Sequence, residues 1–256
     1  MKNLSELKLK NKRLIIFDLD GTLIDSVGIW NLTDQKLIHN YSGKTLDLDY
    51  IQVDRDKFMH SNAGSDTYIA YSEYLINKYD LSIKDKIELT EIRKNIGNEI
   101  LISEVGFKPD VTSLIKKLKE MGYILVLATV TTQSQLEVYY KKNKRMLDEM
   151  NIKDAFDLII TSEQVKNKKP DPEVYNIIME HYSATPDKCL IFEDSYTGVL
   201  AASRAGIEVV NIYDKYADLN RDQINELTDY RIDNFRQFID FLNLAPNSHT
   251  TKLTGE

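Results

Sequence analysis

Residues Phe17–Ser26 read FDLDGTLIDS and close an apolar run that starts at Arg13. In extended chain, alternate side chains share a face. Here the chain is also leaving a strand, so Asp18 and Asp20, on either side of Leu19, can reach one pocket. Gly21 permits a tight departure and Thr22 adds a hydroxyl. Read alone, the stretch is also a strand followed by a polar turn, because Asp and Gly are common turn residues. Two acids at the carboxyl end of an apolar strand repel each other unless a cation lies between them or one is protonated.

Runs rich in Ile, Leu and Val recur at Tyr123–Thr129, Asp157–Thr161, Lys188–Glu193 and Glu208–Ile212. With Arg13–Leu19 they read as strands buried on both faces, as in a parallel sheet. Helical patterns lie between them. Asp110–Met121 places Val111, Leu114, Ile115 and Leu118 on one face and stops at Gly122. Asp171–Tyr182 opens with Pro172 near its first turn, and Ser195–Ala205 ends at Gly206. The alternation predicts an α/β fold with a doubly wound parallel-sheet, Rossmann-like core.

Residues 25–107 break the alternation. They read as helices at Ile29–Tyr41, Thr67–Tyr79 and Lys84–Ser103. Trp30, Leu37, Ile38 and Tyr41 form one stripe and Tyr68, Tyr71, Leu75 and Tyr79 another, the pattern of core packing. The expected division is a core of 1–24 and 108–244, a smaller all-helical cap domain of 25–107, and a disordered polar tail of 245–256. In open parallel sheets ligands bind beyond the carboxyl ends of the strands. The insertion leaves from that edge, so a cap is placed to act as a lid.

The 256 residues suffice for one large domain or two modest ones with a sizeable core. The net charge of −7 gives no basic footprint for nucleic acid, and any phosphate site must be built locally. The KKNKR run at Lys141–Arg145 reads as a solvated helix face. The single cysteine, Cys189, sits in KCLIFED and reads as core filler. The amino terminus lacks a signal-peptide run, and no stretch of about 18 apolar residues occurs, so a soluble cytoplasmic protein without a membrane partner is expected.

Further polar groups fall at the other strand ends. Thr129 is the first hydroxyl past the second apolar run. Lys169 precedes Pro170 in VKNKKPDPEVY, where Lys166 and Lys168 also suit a merely solvated loop. Glu193 and Asp194 end the fourth strand in IFEDS, and Ser195 and Gly198 open a helix, where acids also serve as caps. Together these ends bring four carboxylates, a hydroxyl and a lysine to one edge of one sheet. The acids suit magnesium, which takes hard oxygen ligands. The lysine and hydroxyl suit a phosphate.

This ordered set resembles the haloacid-dehalogenase-like superfamily. FDLDGTLIDS is similar to its first motif, Thr129 to its second, Lys169 in KKPDPEVY to its third, and Glu193–Asp194 in IFEDSYTGVLAASRAG to its fourth. The helical insertion resembles the subfamily of phosphoglycolate phosphatase and beta-phosphoglucomutase. Two departures stand out: Pro109-Asp110 where Pro-Gly is frequent, and Val130-Thr131 after the second-motif hydroxyl where Ser or Asn is frequent.

The resemblance implies a magnesium-dependent phosphatase acting on a small phosphorylated metabolite, such as a sugar phosphate, through an aspartyl phosphate. Asp18 is then the nucleophile and Asp20 the general acid and base. Thr129 and Lys169 are catalytic and, with Val130, bind the phosphoryl group. The metal is held by Asp18, the Asp20 backbone carbonyl and Asp194, with Glu193 close by. Asp20 argues against dehalogenase and phosphonatase branches. A mutase of the beta-phosphoglucomutase type carries a His ten residues after the second aspartate. Here Trp30 stands there and cannot do acid–base work, while His39 reads as a surface residue, so hydrolysis is favoured. A non-catalytic phosphoester-binding module is the remaining alternative. Lys44, Arg55, Lys57, His60 and Arg93 are cap residues able to recognise a second anionic group, though such side chains are mostly solvated. Trp30 reads either as a pocket wall or as core.

Overall fold

The computed structural model describes residues 1–62 and 67–244. Among the described residues, a six-stranded sheet runs β1 (Leu14–Phe17), β2 (Ile124–Ala128), β3 (Leu158–Ile160), β4 (Cys189–Glu193), β5 (Glu208–Ile212) and β6 (Tyr230–Ile232). Its spatial order is β3-β2-β1-β4-β5-β6. All of its strand pairs are parallel, with Phe17 opposite Leu127 on one side and Phe192 on the other. Every residue of β1 and of β4 is buried, which is why these strands read as unbroken apolar runs. The chain winds from β1 out to β3, then returns to the far side of β1 as β4. The order therefore reverses between β1 and β4, the place where open α/β sheets bind ligands.

The helices are α1 (Ile29–Ser42), α2 (Leu48–Ser61), α3 (Thr67–Tyr79), α4 (Lys86–Ser103), α5 (Val111–Glu120), α6 (Gln133–Lys141), α7 (Lys144–Glu149), α8 (Ile152–Ala155), α9 (Glu173–His181), α10 (Tyr196–Arg204), α11 (Arg221–Leu227) and α12 (Phe235–Leu244). None of them is long and apolar enough to cross a membrane. The chain divides into two compact units: Met1–Asp25 with the described residues from Gly106 onward, and Ser26–Val105.

In the first unit, Val111, Leu114, Ile115 and Leu118 of α5 are buried as their spacing predicts, and Gly122 follows with φ +83°. Asp110 adopts φ +68°, so the position where the motif often carries Gly does need a left-handed backbone. Asp tolerates that region better than most residues. Cys189 is buried, and burial pushes its thiol up to about 11, as expected of core filler. The KKNKR run differs from a continuous helix face. It spans the break between α6 and α7, where buried Asn143 accepts from Met146 N at 3.0 Å. Pro172 stands at the N-cap of α9, at the opening of the helix as its position in the sequence predicts.

The second unit packs α1 to α4 around Leu37, Ile38, Tyr71, Leu75, Tyr79 and Leu89. Tyr68, read as part of the buried stripe, is 65% exposed in the first turn of α3, beyond the reach of that core. Residues 245–256, expected to be a disordered tail, lie outside the described residues.

Candidate active site

The backbone brings the acids together at the carboxyl ends of β1 and β4. Asp18 N donates to Phe192 O at 3.0 Å, locking the residue after β1 against β4. Below, Phe17 and Phe192 stack with centroids 4.8 Å apart, an apolar floor that keeps water out. Gly21 turns at φ +83°, and Thr22 swings back so that its hydroxyl donates to Asp194 Oδ1 at 2.7 Å.

Lys169 is the hub. Its ammonium donates to Asp18 Oδ1 at 2.7 Å, Glu193 Oε1 at 2.8 Å and the Ala128 carbonyl at 3.0 Å. Three donors thus meet three acceptors, and the side chain is only 4% exposed, unlike the exposed Lys166 and Lys168 of the same loop. The first turn of α9 shapes that loop: the Glu173 carboxylate accepts from the backbone N–H of Lys166 and Asn167 at 2.7 and 2.9 Å.

Glu193 uses its other oxygen to accept from Ser195 N at 2.8 Å and Ser195 Oγ at 3.1 Å. Ser195 Oγ in turn accepts from Gly198 N, capping α10. Asn211, fully buried on β5, donates to the carbonyls of Glu193 and Asp194 at 2.9 and 3.3 Å, and Arg221 holds its Oδ1 at 3.2 Å.

Asp18, Glu193 and Asp194 each offer an oxygen to a group whose atoms lie within 4.8 Å of one another, all three buried. Burial, reinforced by the Glu193 and Asp20 charges against the opposing Lys169, pushes Asp18 up to about 8. Burial and the charges of Glu193 and Asp18 likewise hold Asp194 well above the usual carboxylate range, against the Thr22 hydrogen bond. Burial lowers the Lys169 ammonium, but Asp18 and Glu193 more than reverse this and leave it well above its ordinary value. Three crowded acids facing one lysine are short of positive charge. A hard divalent cation fits this donor set.

Asp20 turns elsewhere. Its Oδ2 accepts a short hydrogen bond from Thr131 Oγ1, and its Oδ1 accepts from Tyr139 OH at 3.4 Å. Neither partner is singled out by the sequence: Thr131 stands there only as part of a departure from the motif, and Tyr139 has no assigned role. Thr129 is 3% exposed, and its Oγ1 accepts from Thr131 N at 3.0 Å. Val130 between them is 45% exposed.

The candidates of the helical unit separate into two kinds. Lys57 and His39 are exposed, and Lys44 donates to the Tyr79 carbonyl at 2.8 Å. Arg93, by contrast, is buried, with Nε 2.6 Å from Asp34 Oδ1 and its guanidinium 4.8 Å from the Trp30 ring. Arg55 Nη1 lies 3.9 Å from the same Asp34 carboxylate. Arg93 therefore belongs to the interior, not to a solvated face. The side chain of His60 lies outside what the structure describes.

The sequence model of a family described as haloacid dehalogenase-like hydrolase matches residues 15–212. A phosphorylated carbohydrates phosphatase of Thermotoga maritima is 31% identical over 211 residues, 80% of this chain and 86% of the relative. A phosphoglycolate phosphatase of Colwellia psychrerythraea is 26% identical over 236 residues, covering 86% and 97%. A hydrolase of the same superfamily from Deinococcus radiodurans, solved with bound phosphate and sodium, superposes with a TM-score of 0.70 at 20% identity, over 91% of this chain and 95% of that one. At that identity the likeness supports the fold.

Proposed function

The chain belongs to the haloacid dehalogenase-like hydrolase family, and from that premise we propose that it is a magnesium-assisted phosphatase acting on a small phosphorylated metabolite. The observation that carries this reading is the buried cluster in which Lys169 joins Asp18 to Glu193 beside Asp194. The phosphatases of phosphorylated carbohydrates and of phosphoglycolate among its relatives favour a sugar phosphate or a small phosphorylated acid as substrate.

In this reading Asp18 attacks phosphorus and becomes an aspartyl phosphate, splitting one hard displacement into two easier ones. Lys169 holds the nucleophile in place and offsets the negative charge gathering between Asp18 and the phosphoryl oxygens. The Thr129 hydroxyl and the Val130 backbone N–H are assigned to those oxygens. One preorganised donor of this kind contributes roughly 3–4 kcal/mol. Asp20 protonates the leaving oxygen and later takes a proton from the attacking water. Asp18, Asp194 and the Asp20 backbone carbonyl are assigned to magnesium, with Glu193 engaged by Lys169 and Ser195 at their side. When bound, the ion supplies a hard positive partner for phosphoryl oxygens. Hydrolysis is favoured over a mutase reaction because Trp30, held against Arg93, stands where a mutase carries an acid–base His.

The test is inorganic phosphate release from sugar, nucleotide and small-acid phosphates, with and without magnesium, beside Asp18→Asn. We expect magnesium-dependent release by the wild type and none above background from a folded Asp18→Asn. Substantial turnover by that variant sinks the nucleophile assignment. No release from any compound sinks the phosphatase reading.

A further inference from the structure

Asp20 is gripped at both oxygens by hydroxyls that the sequence motifs do not single out. Thr131 Oγ1 donates to Oδ2 and Tyr139 OH to Oδ1, the latter at 3.4 Å. Both donors sit on fixed backbone. Thr131 N donates to Thr129 Oγ1 at 3.0 Å, and its carbonyl accepts from Ser162 N at 3.2 Å. Tyr139 is 2% exposed on α6. That helix starts at a Thr132–Gln135 capping box, and the Glu163 carboxylate accepts from Gln133 N at 3.0 Å. A buried phenol hydroxyl needs a partner, whereas a phenylalanine would pack in the same space without one. Here the Tyr139 hydroxyl has the Asp20 carboxylate within reach.

We propose that Thr131 and Tyr139 are positioning residues that aim the Asp20 carboxylate for proton transfer to and from the reacting oxygens. The proposal deepens the phosphatase reading and rests on Asp20 being its general acid and base. Two rigid hydroxyls fix the carboxylate plane. A group fixed in this way reaches the leaving oxygen without searching rotamers, and misplacement by an ångström costs far more than the lost hydrogen bond itself. Neither hydroxyl is assigned to substrate, so its loss acts through Asp20 and leaves substrate binding alone.

The experiment compares Thr131→Val, Thr131→Ser and Tyr139→Phe, each also made in an Asp20→Asn background, on the best substrate of the panel. We expect kcat to fall roughly 10- to 100-fold in Thr131→Val and less in Tyr139→Phe, with KM within about twofold. Thr131→Ser restores most of the rate. In Asp20→Asn the same substitutions have no further effect, because effects that pass through one residue are not additive. An unchanged kcat, a parallel change in KM, failure of the serine to rescue, or equal losses in Asp20→Asn each overturn the proposal. A second arm needs no turnover: the side-chain carboxylate 13C resonance of Asp20, identified by its loss in Asp20→Asn. It moves in Thr131→Val and Tyr139→Phe if the hydroxyls hold Asp20, and its constancy in both overturns the proposal even if no substrate is found. Absence of turnover by the wild type defeats the phosphatase reading alone.

Discussion

At position 198 the fold accepts a hydrogen and nothing larger. A Cβ built there lies 1.5 Å from Glu193 Oε1, the oxygen that receives the Lys169 ammonium. Gly198 is also the residue whose N–H closes the Ser195 cap. Its φ is not in the left-handed region, so the requirement is for space near a carboxylate and not for backbone freedom. Gly198→Ala must therefore push the Glu193 carboxylate aside and leave Lys169 to reorient. The expected loss in kcat/KM is roughly 100-fold, since small misplacements of a catalytic constellation carry that cost. Circular dichroism should show the helices retained. Activity within a few-fold of wild type would mean that Glu193 does not set the position of Lys169.

On the scale of elements, the helical unit carries an ion pair in its interior. Asp34 of α1 is fully buried and accepts from Arg93 of α4 at 2.6 and 3.3 Å and from Tyr71 OH of α3 at 3.1 Å. Arg93 also lies over the rings of Trp30 and Tyr71, at 4.8 and 5.2 Å. With Arg55 of α2 at 3.9 Å from the same carboxylate, all four helices meet at Asp34. Removing one partner strands the other charge out of water, so Arg93→Met is expected to cost about 3–5 kcal/mol in urea unfolding. Replacing Asp34 with Leu in the same chain should recover part of that loss, because the buried Asp34–Arg93 pair is then gone and only the partly exposed Arg55 loses an acceptor. If Arg93→Met leaves stability unchanged and impairs only substrate binding, Arg93 is a substrate contact after all. This pair was hidden from the sequence because burial of an Asp and an Arg shows only when both ends are known. The strands β1, β2, β4 and β5 were legible because each is an apolar run buried along nearly its whole length, and edge strand β3, although half-buried, keeps the apolar run Leu158–Ile160. Three-residue β6 at the sheet edge is too short to show such a run. Helix α2 went unpredicted because only Ile51 among its core-facing residues is fully buried, leaving no stripe, and its start is marked by the Asp47 cap alone. Helix α12 is also absent from the predicted set, although Phe235, Phe238, Ile239 and Leu242 follow the i, i+3, i+4, i+7 rule. The acids and Lys169 were readable from their order along the chain. Thr131 and Tyr139 were not, since their meaning lies in a partner more than a hundred residues earlier.

For the molecule as a whole, the crowded acids couple stability to pH and to the cation assigned to them. Asp18 is held near 8 in the folded chain, chiefly by burial, against an ordinary value of 3.8. Between these limits the folded state binds a proton that the unfolded state releases. The slope of stability with pH is then negative: the contribution is complete below the unfolded value and is lost as pH rises through the folded one. Asp194, raised for the same reason, adds to the loss in the same direction. Lys169, raised well above its ordinary value, keeps its contribution throughout this window. In EDTA, the wild type should therefore lose melting temperature between about pH 5 and pH 8.5. Asp18→Asn, which has nothing to ionise at that position, should lose less over the same range. Magnesium competes with the protons for the same oxygens, so its stabilisation should grow as pH rises and should exceed that of potassium chloride at matched ionic strength. Thermal unfolding of both proteins across that range, with EDTA or with magnesium, reads all three effects without any substrate. Parallel curves for wild type and Asp18→Asn in EDTA would show that Asp18 is already ionised in the folded chain. A magnesium effect equal to that of potassium chloride would remove the carboxylate cluster as its binding site.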